Sequence, residues 1–194
     1  RRAWSGQPVN FEGKRFNVGD LCITPVPENP PKILLGGMAP PAIDRVARVA
    51  DGFLSTGGLG LDIYCEALER HGKSLSDGNV ILGCWAIIAE DPEAEAANVA
   101  EHVLYQANEY IRWGAFGPPD ETPVFESAKV AIENGLYELW DADMAVTELR
   151  KLQDTYPMIS DIHFWAQFPG ESVESGNRRL RYIAEKVLPR LREA

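Results

Sequence analysis

Two glycine-rich stretches each follow a short apolar segment and are the first candidates for a binding site. Gly36-Gly37 comes directly after Ile33-Leu34-Leu35, and Thr56-Gly57-Gly58 comes after Phe53-Leu54-Ser55. Where a strand ends in glycine and leads into a helix, unpaired backbone amides can bind an anion, most often a phosphate. Neither stretch completes a GxGxxG sequence, and a tight turn without a ligand explains either one alone. The pair leaves a phosphate pocket and two ligand-free turns as open alternatives.

One histidine lies inside an apolar segment near the end of the chain. If this segment is a strand, alternation places three side chains on the face turned away from the helices: His163, Trp165 and Gln167. We predict that these three line a substrate pocket, with a buried structural histidine as the more common alternative. His102 is predicted on the solvated surface, and His71 is predicted to cap a helix carboxyl end. Glu171, just after the segment, is predicted to be a solvated loop residue, with a role in chemistry left open.

The remaining ionisable residues exclude several kinds of chemistry. No HExxH, GxSxG, P-loop or clustered Cys/His signature is present, so we predict neither a metal site nor acyl-transfer chemistry. Acidic residues such as Glu95 fall at predicted helix starts, where carboxylates are ordinary. The three cysteines form no CxxC pair, which predicts free, mostly buried thiols in a reducing cytoplasm.

Charge and hydropathy limit the possible partners. The 194 residues carry a formal net charge of −10 without a long basic run, which argues against nucleic-acid binding through phosphate neutralisation. No apolar segment approaches the ~20 residues that a membrane helix requires. We therefore expect a cytoplasmic protein that acts on a small-molecule substrate and binds neither nucleic acid nor a membrane.

Strand and helix signals alternate along the chain. Residues 1–31 are predicted to form a β-hairpin and a proline-rich lead-in, and residues 32–194 to form βα units of the same single domain, 1–194. Strands are predicted over 32–37, 53–56, 79–89 and 159–168. Helices are predicted over 40–50, 62–70, 92–113, 124–138 and 141–154, with a final amphipathic helix through Leu180, Ile183, Ala184, Val187, Leu188 and Leu191.

Four consecutive βα units predict an α/β fold with a parallel sheet and right-handed crossovers. Two architectures fit this order, an open doubly wound sheet and part of a TIM (β/α)8 barrel. Because a whole barrel takes about 250 residues, four units amount to half of one. In both architectures the carboxyl ends of the strands carry the site, and the two glycine-rich stretches lie at such ends.

Two motifs occur in a fixed order in the first two units: PPKILLGG at 30–37 and PAIDRVARVADGF at 41–53. Together they resemble the stretch that marks the fifth and sixth barrel strands of the luciferase-like family of flavin-dependent enzymes. FEGKRF at 11–16 resembles the insertion hairpin of that family. Phe168-Pro169-Gly170 and VLPRLR at 187–192 resemble its eighth-strand loop and last helix. The resemblance implies a partial TIM barrel of about four βα units with an N-terminal hairpin.

By this resemblance the cofactor is FMN or the deazaflavin F420, and the activity is that of a monooxygenase or a hydride-transferring dehydrogenase. Backbone amides of the first glycine stretch would meet the cofactor phosphate or side chain: Gly36, Gly37, Met38 and Ala39. The second stretch would meet the cofactor tail or the substrate: Thr56, Gly57 and Gly58. Glucose-6-phosphate dehydrogenases of the family carry a lysine after this threonine, and its absence here argues against a sugar-phosphate substrate.

The resemblance also implies that four barrel strands lie outside these residues, with most contacts to the isoalloxazine ring and the usual acid/base residues. Either the chain is a fragment of a longer enzyme, or two copies combine to close a barrel. Half a barrel exposes two strand edges and an apolar interior. We therefore predict a homo-oligomer, or a chain completed by its missing N-terminal half. The alternative function is a non-catalytic half-barrel that binds a phosphate ligand or acts only in assembly.

Overall fold

In the computed structural model, which describes residues 1–193, the first 33 residues form a unit of their own. A short 3-10 helix, Arg2–Ser5, precedes two antiparallel strands, β1 (Val9–Glu12) and β2 (Asn17–Leu21). A hydrogen bond of 3.0 Å between the side chains of Asn10 and Asp20 joins the two strands. The predicted hairpin is confirmed, whereas the assignment of the whole chain to one domain stays a prediction.

Four parallel strands make the main sheet of the second unit, which begins at Leu34. Their spatial order is β3 (Leu34–Gly36), β4 (Gly52–Thr56), β5 (Val80–Cys84) and, last in the chain, β8 (Ile159–Phe164). The predicted parallel sheet is therefore confirmed. The strand predicted over 159–168 is too long, because pairing with β5 ends at Phe164.

Helices α1 (Pro40–Val49) and α2 (Leu61–Arg70) pack on one face of the main sheet. Two prolines begin α1, where a missing amide hydrogen costs nothing because first-turn amides have no partner within the helix. The buried residues of α1 are those with the predicted helical spacing, and they pack with Phe53 of β4: Ile43, Val46 and Ala47.

A second parallel sheet of two strands interrupts the third unit. The strand predicted over 79–89 is in fact two strands, because the chain leaves β5 at Trp85 and continues as β6 (Ala86–Ile88). β6 pairs with β7 (Glu138–Trp140), and the first amide of β7 donates a hydrogen bond of 2.8 Å to the Trp85 carbonyl. The apolar run gives no sign of this change of partner.

The helices between β6 and β7 also differ from the prediction. The helix predicted over 92–113 is two helices, α3 (Pro92–Asn98) and α4 (Ala100–Arg112). The helix predicted over 124–138 is wrong, because only α5 (Ala128–Glu133) is helical there and β7 follows. Gly135, with a φ of 75°, turns the chain between them in a conformation that favours glycine.

The predicted helix before β8 is confirmed as α6 (Ala142–Thr155). After β8 come α7 (Val173–Tyr182), a π-helical turn (Ile183–Val187) and α8 (Leu188–Arg192). Pro189 explains the irregular turn, since a proline ring clashes with the carbonyl four residues earlier in a regular helix. The predicted apolar stripe is only partly buried: Val187 is enclosed, but Leu180 and Leu188 are exposed. None of the helices formed by residues 1–193 has the length and apolarity to cross a membrane.

Candidate functional site

The carboxyl ends of β4, β5 and β8 lie side by side at one edge of the main sheet. Thr56, Gly83 and His163 are register partners on these strands, so they share one face. Adjacent strands are about 4.8 Å apart, which places Thr56 and His163 about 10 Å from each other across Gly83. The helices α1 and α2 pack on the opposite face, around Phe53 and Leu82.

We call the face that carries Thr56 and His163 the open face. By alternation and register it includes, toward the carboxyl ends of the strands, Gly36, Leu54, Thr56, Ile81, Gly83, Asp161 and His163. Leu54, in the middle of β4, is 48% exposed, while its neighbours Phe53 and Ser55 are buried on the helix side. An apolar side chain at the centre of a sheet is normally covered, so this face has the character of an unfilled barrel interior.

The first glycine loop, Gly37 to Ala39, connects β3 to α1 and offers backbone amides. Because Pro40 and Pro41 occupy the first turn of α1, the helix itself has fewer amides to offer there. The amides of Gly37, Met38 and Ala39 make no backbone hydrogen bond within residues 1–193. The amides without a partner at this strand end therefore belong to the loop rather than to the first turn of the helix.

The second glycine loop, Gly57 to Gly60, connects β4 to α2 and is held in place by β4 and β5. The Ser55 hydroxyl donates a hydrogen bond of 3.1 Å to the Leu59 carbonyl, and the Gly57 amide donates one of 2.7 Å to the Gly83 carbonyl. Gly57, Gly58 and Gly60 all have positive φ, which other residues rarely adopt. Sequence reasoning missed this role of Ser55. Its position between Leu54 and Thr56 was a usable signal, because alternation along a strand turns Ser55 to the opposite face from these two residues.

A cavity of about 490 Å³ adjoins this second loop. It extends from Gly57 and Gly58 past Trp85 to Trp140 and Met144 of α6. Its volume lies in the range of small-molecule sites.

The three predicted pocket residues of the last unit do not share one strand. His163 lies on the open face of β8 and is exposed, while Ile162 and Phe164 pack toward the helices, as predicted. Trp165 follows the strand end and contacts aromatic rings of other elements. Gln167 instead donates a hydrogen bond of 2.6 Å to the Glu171 carbonyl. The assignment of the three to a substrate pocket stays a prediction.

Aromatic rings gather where β5 and β8 end. We call them the aromatic cluster, and its members are Trp85, Tyr110, Trp113, Phe116, Tyr137, Trp165 and Phe168. Trp85 is buried at the centre, with its ring centroid 5.1 Å from that of Tyr137 and 6.0 Å from that of Trp165. The Trp85–Trp165 contact is edge-to-face, with an angle of 90° between the ring planes, an arrangement that is favourable for aromatic pairs. Sequence reasoning placed only Trp165 in a pocket, because most of the other rings come from distant parts of the chain.

A buried ion cluster fixes the loop after β8. Arg179 of α7, 4% exposed, donates hydrogen bonds of 2.6 Å to both Glu171 and Glu95. It also donates one of 3.2 Å to the Ala166 carbonyl. The prediction of Glu171 as a solvated loop residue is wrong, and Glu95 is more than an ordinary acid at a helix start. A guanidinium that binds both carboxylates allows them to be buried.

The protonation of Glu171 follows from this surrounding. Burial opposes ionisation, but hydrogen bonds from Arg179, Ser175 and the Phe168 amide outweigh it, so the pKa of Glu171 is lowered. Glu171 therefore stays charged and is part of the support for the Trp165–Phe168 segment, not a general acid.

The two other histidines differ in their outcome. His71 is the C-cap residue of α2, as predicted, and its Nε2 also lies 3.2 Å from Asp44 Oδ1 on α1, a hydrogen bond that lowers the pKa of Asp44. His102 is half-buried rather than fully solvated, because the loop after β8 folds against it. A Cβ at Gly170 would meet the His102 ring at 3.2 Å.

The cysteines are free, as predicted, but they differ in exposure. Cys22 is exposed, which corrects the expectation of mostly buried thiols, while Cys65 is half-buried and Cys84 is buried. Burial, with a smaller effect of Glu138, raises the pKa of Cys84 to about 12. Residues 1–193 contain no group of three or more His, Cys, Asp or Glu side chains that could hold a metal ion.

Comparison with known proteins identifies the family. The sequence profile of luciferase-like monooxygenases matches residues 1–157. The chain belongs to the luciferase-like monooxygenase family. An F420-dependent glucose-6-phosphate dehydrogenase from Kribbella flavida is 27% identical over all of this chain and 58% of its own length. The luciferase-like chain thus spans less than two thirds of that relative.

Solved structures agree on the fold. An F420-dependent secondary alcohol dehydrogenase, in complex with an F420–acetone adduct, superposes with a TM-score of 0.66 at 16% identity. The match covers 98% of this luciferase-like chain and 58% of that one. The FMN complex of the oxygenating constituent of 3,6-diketocamphane monooxygenase, from Pseudomonas putida, gives 0.62 at 16% identity, over 96% and 59%. The predicted partial TIM barrel of the luciferase-like family is confirmed.

Proposed function

We propose that this chain is the carboxyl-terminal half of a luciferase-like oxidoreductase, dependent on FMN or F420, whose two glycine loops bind the cofactor phosphate. The observation that carries the proposal is the pair of loops at the carboxyl ends of the adjacent strands β3 and β4, one of them with three amides free of backbone partners. Parallel α/β folds bind their ligands at this edge. Relatives named as F420-dependent dehydrogenases and an FMN-bound monooxygenase support the cofactor class.

The donors present fit a phosphate. Gly37, Met38 and Ala39 offer amides that have no backbone partner within residues 1–193, and the positive φ of Gly57 and Gly58 turns the second loop at the same edge. Oriented backbone amides bind phosphate oxygens without any basic side chain. The absence of a lysine after Thr56 is therefore compatible with cofactor binding.

The bound cofactor would supply the hydride- or oxygen-transfer chemistry, and the protein would position it. In this proposal the two loops fix the phosphate end, and the open face receives the substrate. His163, about 10 Å from Thr56, would offer a ring nitrogen for a hydrogen bond with a substrate oxygen. Trp165 and Gln167 complete the proposed pocket at the end of β8.

A fluorescence titration of the chain with FMN, and separately with F420, tests the proposal. Gly36→Asp is the decisive variant, because a Cβ at Gly36 meets only the Leu54 carbonyl at 3.6 Å and fits. Its carboxylate would repel the phosphate, and we expect affinity to fall about tenfold or more. Gly36→Ala, which adds no charge, is the matched control and should bind as the parent chain does. Equal cofactor affinities of the two variants would show that the phosphate does not bind at this loop.

The open face supports a second candidate, a half-barrel that acts in assembly. Leu54 is 48% exposed at the centre of the sheet, and both outer strands, β3 and β8, have a free edge within residues 1–193. Such edges and faces favour association with another copy, or with the other half of a longer protein. Light scattering measures the molar mass of the parent chain and of Leu54→Lys, and it separates association with a second copy from completion by another half. A dimer that becomes monomeric in Leu54→Lys supports self-association through the open face.

A further inference from the structure

Three members of the aromatic cluster stand open to solvent around the buried Trp85. Trp113 is 72% exposed, Phe116 38% and Trp165 37%. Phe116 and Trp165 contact Trp85 directly, with centroid distances of 6.1 and 6.0 Å, and Trp113 contacts Tyr110 at 5.6 Å. We call Trp113, Phe116 and Trp165 the aromatic wall. Several exposed large rings in one place are typical of a surface that becomes covered on binding.

The aromatic wall lies next to the proposed cofactor site. Trp165 follows His163 by two residues, and His163 is about 10 Å from Thr56 across the sheet. The central ring, Trp85, directly follows β5, the strand that pairs with both β4 and β8. A small molecule placed beside the glycine loops is therefore within reach of the wall.

The charges beside the wall do not suit an anionic substrate. Arg112, next to Trp113, pairs with Glu109. Arg179 lies 5.2 Å from the Phe168 ring centroid, but two buried carboxylates already hold it. A substrate phosphate needs donors that are not already engaged. An uncharged ring, in contrast, gains from burial against exposed aromatic side chains.

We infer that the substrate is an uncharged small molecule with a ring, which packs against Trp165 and Trp113 with its reacting end toward the glycine loops. This inference rests on the proposed function and names its substrate class. It differs from the sugar phosphate after which the Kribbella flavida relative is named.

Calorimetric titration of the full chain, in the presence and absence of FMN or F420, tests this inference with two probes. The probes are 1-phenylethanol, which is uncharged and aromatic, and glucose 6-phosphate. The variants are Trp165→Gln and Trp113→Gln, whose exposed side chains can change without loss of the fold. Tyr105→Gln is the matched control, because Tyr105 lies on α4, is 55% exposed and makes no ring contact within residues 1–193.

We expect saturable binding of 1-phenylethanol, weakened about fivefold or more in both tryptophan variants and changed less than about twofold in the control. Cofactor affinity should be the same in all four proteins. Binding of glucose 6-phosphate by the parent chain and by both tryptophan variants overturns the inference. So does equal affinity for 1-phenylethanol in all proteins. A lower cofactor affinity in Trp165→Gln also overturns it, because the wall would then hold the cofactor ring.

The cofactor titration separates this inference from the proposed function. Cofactor binding without 1-phenylethanol binding overturns the substrate class alone. Binding of 1-phenylethanol that depends on Trp165 and Trp113, without cofactor binding, supports the wall as a ligand site and counts against the oxidoreductase. Binding of neither overturns both.

Discussion

Arg179 donates two parallel hydrogen bonds to the carboxylate of Glu171, each with a nitrogen–oxygen distance of 2.6 Å. One of the same nitrogens also reaches Glu95 at 2.6 Å, and the other reaches the Ala166 carbonyl at 3.2 Å. One guanidinium thus ties α3 and α7 to the segment that carries Trp165. The cluster is buried, so the loss of Arg179 leaves two carboxylates inside the protein without their cation.

Replacement of Arg179 should therefore destabilise the chain. For Arg179→Met we expect the free energy of unfolding to fall by about 3–5 kcal/mol, because Glu171 and Glu95 remain buried without their cation. Urea unfolding followed by circular dichroism measures this change. Arg181→Met, at an exposed position of the same helix, is the control and should change stability by less than about 0.5 kcal/mol. Similar losses of unfolding free energy in the two variants would mean that the buried ion pairs contribute little to stability.

Acid should act on the same cluster. The folded pKa of Glu171 lies below its ordinary value of 4.5, so the stabilisation it gives is complete above pH 4.5. This contribution is lost as the pH falls through the folded pKa, because the unfolded chain binds the proton more readily. Glu171→Gln should be less stable than the parent at pH 7, and the gap should narrow below pH 4.5. Urea midpoints from pH 7 to pH 3 measure it, with the exposed Glu174→Gln as control. A stability difference between the parent and Glu171→Gln that stays constant with pH would contradict the lowered pKa of Glu171.

Some elements follow from sequence because their cause is local. The spacing of Ile43, Val46 and Ala47 predicts α1 correctly, since apolar residues three and four apart need one buried helix face. The second glycine loop is predictable for the same reason, because Gly57, Gly58 and Gly60 have positive φ, which other residues rarely adopt. β7 has only three residues and no period of its own, and its pairing with β6 is a long-range contact.

The ion cluster and the open face required the structure. Glu95 and Arg179 are 84 residues apart and look like ordinary surface residues of two helices, so no local pattern joins them. Leu54 and Ser55 invert the usual expectation, with the apolar residue exposed and the polar one buried. That inversion follows from the half-barrel, in which the face that would normally be the interior is open.

Thiol reactivity should differ between the three cysteines. Cys22 is exposed and should react rapidly with iodoacetamide at pH 8, whereas burial raises the pKa of Cys84 to about 12 and keeps it protonated and shielded. Burial also raises the pKa of Cys65, which should react slowly. Mass spectrometry of the labelled protein against time measures the three rates. Cys22→Ser should remove the fast phase, and rapid labelling of Cys84 in the folded protein would contradict its burial.

A side chain added at Gly37 should destabilise the protein more than one added at the adjacent Gly36, the last residue of β3. A Cβ at Gly37 would come within 2.8 Å of the Ala42 Cβ at the start of α1, whereas one at Gly36 meets the Leu54 carbonyl at 3.6 Å. We expect Gly37→Ala to lower the free energy of unfolding by about 1–3 kcal/mol, through strain against α1. Gly36→Ala should change it by less than about 1 kcal/mol. Urea unfolding measures the stability of both variants. Equal stabilities would mean that α1 moves away from the added Cβ without a cost in free energy. This difference is why cofactor binding is best tested at Gly36, since a loss at Gly37 would combine a damaged fold with a damaged site.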